Sequence, residues 1–135
     1  MKKTMILFAM VLCLMLAGCQ RGDVSEVQMD VGASEIYTAE EIEDAMAVVR
    51  RFFAREYDGC TLKKLWYEEE HSRGQAKYYA KQYGAKEGIV LLSEYTTGPK
   101  GGDGSLNPND TYGGWNWVLV RNGKNKPWKL KTWGY

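Results

Sequence analysis

The chain has 135 residues, with 18 Lys and Arg against 17 Asp and Glu, a single His and three Cys. That balance argues against a nucleic-acid binder, which needs a basic face to neutralise phosphates, and a lone histidine argues against a zinc site. The length admits one domain with a real core and not two.

At the start, Lys2 and Lys3 precede an apolar run from Met5 to Leu16 that is too short to span a bilayer comfortably, and small residues follow it. This is the plan of a cleaved secretory signal. Its end, Leu16-Ala17-Gly18-Cys19, resembles the lipobox of bacterial lipoproteins. The resemblance implies that residues 1–18 are removed and that Cys19 becomes the N-terminus. It also implies that Cys19 carries diacylglycerol, and that acyl chains such as palmitate hold the protein to the extracytoplasmic face of a cell membrane. An ordinary signal, or an uncleaved anchor, that happens to end in cysteine is the competing reading. Processing would remove Lys2 and Lys3, leaving 16 basic residues against 17 acidic ones. It would also leave Cys60 as the only cysteine that is neither removed nor acylated, so no internal disulfide is expected. At the start of an apolar strand, Cys60 reads as a small buried hydrophobe rather than a reactive thiol.

Residues 19–36 are expected to be the lipidated N-terminus and a flexible tether. Gln20 to Ser34 carries Gly, Asp, Ser, Glu and isolated valines without an apolar period, and as a coil it would span roughly 20–25 Å. Residues 37–135 are expected to form a single α+β domain. Its first helix begins at Thr38-Ala39-Glu40-Glu41, a capping box, with Tyr37 placed to staple onto Ile42. The helix should run to about Tyr57, burying Ile42, Ala45, Met46, Val49, Phe52 and Phe53, and stop at Gly59. Its Arg50, Arg51 and Arg55 read as a solvated face.

Thr61 to Tyr67 reads as a strand, an edge strand on account of Lys63 and Lys64. After Glu68, Glu69, Glu70 and His71, the run Ser72-Arg73-Gly74-Gln75 offers a second capping box. A short helix to Tyr83 follows, stopped by Gly84. His71, in its charged surroundings, reads as solvated. Three strands come next: Ile89 to Thr96, Trp115 to Arg121 and Trp128 to Trp133, the last two joined through Asn122-Gly123 and Pro127. On the middle strand, Trp115, Trp117 and Leu119 point one way and Val118 and Val120 the other, so both faces need cover. Helices on the concave side, with a second subunit or a loop on the outer side, would supply it. The stretch from Thr97 to Gly114 is a long Gly, Pro, Asn and Asp loop and the first place to look for a site.

This order, a long capped helix, a strand, a short helix and three antiparallel strands, resembles the cone-shaped nuclear-transport-factor-2-like, or SnoaL-like, superfamily. The expected architecture is two helices on a curved antiparallel sheet of about four strands, with a cystatin-like sheet over one helix as the rival. The superfamily includes binding modules, dimerisation domains and a few isomerases and dehydratases, so the resemblance transfers no site residue.

Most catalytic constellations are missing from the sequence. There is no Gly-rich phosphate loop between strand and helix, and Cys60 would have to find the only histidine to make a thiol enzyme. Asp103, Ser105 and Asn107 stand at alternate positions like the first ligands of a calcium loop. However, Pro108 and Gly114 occupy the positions where such a loop needs glycine and glutamate. A polar hairpin loop is the better reading, and no cofactor is expected. Five Trp and nine Tyr remain as a signal. Tyr79, Tyr95, Trp115 and Trp117 are candidates to line a pocket for a small apolar or ring-bearing ligand, unless the aromatics form a core and a dimer face. Glu94 is the strand acid that an isomerase-type enzyme would use, provided it points inward. The function expected is a membrane-anchored extracytoplasmic binding or interaction domain, not an enzyme. The alternatives are a small-molecule isomerase or hydrolase and an accessory subunit of an envelope complex, with a homodimer or an envelope protein as a possible partner.

Overall fold

The structure is a computed structural model describing residues 21–135. Residues 1–18 and Cys19, read as signal and lipid site, lie outside the described residues. Two helices, α1 (Ala39–Glu56) and α2 (Glu69–Gln82), pack on five strands, β1 (Gln28–Asp30), β2 (Cys60–Trp66), β3 (Glu87–Thr97), β4 (Thr111–Arg121) and β5 (Lys129–Gly134). The strands are ordered β1-β2-β3-β4-β5; β1 runs parallel to β2 and every other neighbour is antiparallel. The fold is α+β as expected, with one strand more. No helix among the described residues is long and apolar enough to cross a membrane.

The additional strand comes from the segment read as a tether. Gln28, Met29 and Asp30 pair with Lys64, Leu65 and Trp66, and Asp23 forms a further parallel bridge to Thr61. The valines that looked isolated, Val24, Val27 and Val31, pack onto the core and hold this short strand in place. Where the segment leaves the sheet, the Glu69 carboxylate binds Ser34 and accepts from the backbone N–H groups of Glu35 and Ile36. A flexible coil is therefore the wrong description of residues 21–36. Their apolar contacts do not follow a helix or strand period, so no pattern announced them.

Helix α1 forms where its cap predicts. Thr38 accepts from the Glu41 N–H, while Glu41 accepts from the Thr38 N–H. Ile42, Ala45, Met46, Val49 and Phe53 face β2, β3 and β4 and are fully buried. Phe53 alone contributes about 2–3 kcal/mol by leaving water. Phe52, expected among them, is only half-buried because it turns toward the helix end. The left-handed Gly59 then lets the chain reverse into β2. Tyr37 packs against the core, edge-on to Tyr67 and Trp128, and donates to the Gly88 carbonyl.

Helix α2 starts three residues earlier than its apparent capping box. Glu68 is the cap residue, and Ser72 is buried instead, accepting from the Val90 N–H that β2 leaves unpaired beyond Trp66. Gly84 ends the helix as expected, with the Ala85 N–H reaching back to Ala80. This helix answers the demand for cover on both faces of the sheet. Ile89, Leu91, Tyr95, Trp117 and Leu119 belong to the cluster under α1, while Val90, Leu92, Val118 and Val120 are buried on the opposite side. There α2 packs on β3 and β4, with His71 bonded to Asn116 at 2.7 Å and Lys131 lying over the Tyr83 ring. The outer cover is thus a helix of the chain itself, and His71 is a packing contact rather than a solvated side chain.

Candidate functional site

At the end of α1 the aromatic core opens to the surface. Phe53 stacks on Tyr57 at 4.6 Å; Tyr57 meets Tyr95 and Trp117, each at 5.4 Å; and Tyr95 meets Trp115 edge-on at 5.5 Å. Outward of these rings lies a cavity of about 490 Å³. Its flat walls are Phe52, Tyr57, Trp115 and Trp133, and its rim is formed by Glu56, Asp58 and Asp103. Cys60 and Leu106 complete the apolar part, and no lysine or arginine among the described residues lines it. Trp133 is 42% exposed and Tyr135, edge-on to Trp115 at 5.0 Å, is 79% exposed, so large apolar surface stays wet at the mouth.

The loop between β3 and β4 closes one side. Its backbone is tied by bonds from Gly101 to Gly98, Leu106 to Gly101 and Asn109 to Gly98. Gly101 has a positive φ of 65°, and a Cβ there would sit 2.0 Å from the Leu106 carbonyl oxygen, so only glycine fits. The stretch singled out for its length is therefore an ordered wall, and it brings Gly102, Asp103, Ser105 and Leu106 to the cavity.

The Tyr95 hydroxyl, behind the wall, is buried without a hydrogen-bond partner among the described residues. Burial pushes the Tyr57 and Tyr95 phenols well above their ordinary value, so both are held as protonated donors. Burial also raises the Cys60 thiol, and the nearby Asp103 and Asp58 add to it. The thiol donates weakly to the Asp58 carbonyl at 3.7 Å and is not activated as a nucleophile. Ser105 donates from both its side chain and its backbone to Asp103, holding that carboxyl below its usual range.

The structure brings Tyr95, Trp115 and Trp117 together, with Trp115 on the wall and the other two directly behind it. Tyr79 is not among them. It lies on α2 against Tyr78, on the other face of the sheet. Glu94 is exposed and pairs in register with Lys64 on that other face, because its neighbours Ser93 and Tyr95 take the inward positions. The condition that made it a candidate acid is not met. Asp103, Ser105 and Asn107 do not converge on a common point for a cation. Asp103 is committed to Ser105, and Asn107 turns its amide to Asp110 at 3.2 Å.

Sequence reasoning missed Phe52, Tyr57 and Trp133 as wall residues and Glu56 and Asp58 as rim residues. The signal was present in the end of the first helix, where three aromatics and two acids lie from Phe52 to Asp58, ahead of the stop. Searches of protein-family models, curated proteins and solved structures find no match to this chain.

Proposed function

We propose that this chain is a lipid-anchored, extracytoplasmic binding domain that takes a small ligand in the aromatic cavity at the end of α1. The observation that carries this reading is the open cavity itself, walled by Phe52, Tyr57, Trp115 and Trp133 with acids at its rim. A concave, largely apolar site with a few polar groups is the usual setting for a small ligand.

The anchor adds orientation. The Arg21 and Gly22 N–H groups bind the Ala54 carbonyl at 2.8 and 3.0 Å, and the Gly59 N–H binds Arg21, so the chain enters the domain at the cavity end of α1. Cys19 precedes Arg21 by two residues, a reach of at most about 7 Å. A lipid on Cys19 would hold the cavity close to the bilayer surface rather than on a free-swinging coil. The isomerase or hydrolase alternative draws no support from Glu94.

The test is expression in a bacterial host that lipidates exported proteins, with native mass spectrometry of the full processed chain released from membranes. The expected result is a diacylglycerol-modified Cys19 and a bound mass lost on denaturation. Membrane retention of Cys19→Ser equal to wild type would refute the anchor, and a clean unliganded ion at native expression level would refute the ligand.

A further inference from the structure

Resting on the cavity reading, we infer that the ligand is an organic cation, an ammonium compound with a flat or apolar body. Of the three rim acids Glu56 is paired with Arg55, while Asp58 and Asp103 meet no basic side chain among the described residues that line the cavity. Asp58 and Asp103 form no salt bridge among the described residues, and both act on the Cys60 thiol, so their negative fields meet at the cavity floor. The walls have the complementary property. Phe52, Tyr57, Trp115 and Trp133 line the cavity, and an aromatic ring attracts a cation by about 0.5–2 kcal/mol, most when water is excluded. The molecule already uses this edge in that way. Arg55 holds its guanidinium 5.6 Å from the Phe52 ring centre and bonds Glu56 at 2.9 Å, just outside the cavity. Inside, the position is open. At about 490 Å³ the cavity suits a molecule larger than a bare tetraalkylammonium.

A matched series separates charge from shape: choline phenyl ether, 2-phenoxyethanol and phenoxyacetate share one ring and one ether oxygen and are cationic, neutral and anionic. Each is titrated, following tryptophan emission, into the full processed chain held in phosphatidylglycerol nanodiscs, whose lipid carries no ammonium. The expected order is cation, then neutral, then anion. The cation should bind at least about tenfold more tightly than the neutral compound, a step of about 1.4 kcal/mol. Asp58→Asn with Asp103→Asn, both at exposed positions, should weaken the cation about tenfold and leave 2-phenoxyethanol unchanged. Equal affinities across the series, or a cation indifferent to the double variant, overturn the inference while leaving the cavity reading in place. No saturable binding of any of the three up to about 10 mM overturns both. Tight binding of trilysine with none of choline phenyl ether would assign the cavity to a protein segment and also overturn it. In phosphatidylcholine nanodiscs, a weakened choline phenyl ether signal supports the inference with a lipid headgroup as the source. An unchanged signal supports it with a free ligand.

Discussion

The two ends of helix α1 are built from the same kinds of residue and finish differently. At its start, Arg121 is 4% exposed, donates to Glu87 at 2.6 Å and to Glu41, and lies over Trp128 at 4.3 Å. Trp128 donates to the Glu41 carbonyl, Tyr37 donates to Gly88, and Glu41 also closes the helix cap. Each of these aromatic side chains with a polar tip has its partner. Burial, chiefly, pushes the Tyr37 phenol up to about 12. At its far end, Tyr95 is 0% exposed with no partner for its hydroxyl, and Asp58 and Asp103 form no salt bridge among the described residues. One end is complete in the isolated chain and the other is not. Aromatic abundance alone therefore does not mark a site; aromatic abundance beside unmatched polar groups does.

Removing a polar group should cost stability at the first end and not at the second. Arg121→Met strands two carboxylates and is expected to lower unfolding stability by about 3 kcal/mol in urea. That is the low end for a broken buried pair, because Glu41 and Glu87 retain some water. Between the ends, Trp117→Phe leaves the Ser93 hydroxyl without its donor at 2.7 Å and opens a small void, for about 2 kcal/mol. Tyr95→Phe should lie between neutral and about 1 kcal/mol more stable, since it deletes a hydroxyl that is satisfied by nothing. A Tyr95→Phe cost above that of Trp117→Phe would erase the distinction.

Acid sharpens the same contrast. The Arg121 hydrogen bond holds the Glu41 carboxyl below its ordinary value of 4.5. A depressed carboxyl contributes stability above its unfolded value and loses it as pH falls through the folded one. The gap between wild type and Arg121→Met should therefore be widest near neutrality and shrink below about pH 4.5 in urea titrations run at each pH. Tyr95→Phe should run parallel to wild type throughout.

Helix α1 was legible because its cap and its three-and-four spacing name the same start and the same face. Strands β3 to β5 were legible from alternation, and α2 from its glycine stop. Its beginning was not, because Ser72 and Gln75 imitate a cap while Ser72 serves a strand amide that only the folded sheet leaves free. β1 is three exposed residues whose support comes from pairing and from flanking valines, so no local period exists to find. For the cavity, counting aromatics reached Tyr95, Trp115 and Trp117 on the strands but also took in Tyr79 on the second helix. It did not reach Phe52, which the helical stripe assigned to the core, or Tyr57, which the sequence placed only at the helix end. Glu94 and Tyr95 are neighbours on one strand and could not both face inward.

The parallel seam between β1 and β2 also bears on how the molecule tolerates cutting. A chain trimmed to begin at Tyr37, where the helical pattern invites a boundary, would uncover the outer ladder of β2 from Thr61 to Trp66. Only Lys63 and Lys64 would remain to deter another strand from docking there. Such a fragment should gather into edge-paired aggregates visible by light scattering while the longer chain stays dispersed. Residues 23–30 thus act as a guard strip that keeps neighbouring copies from zipping together.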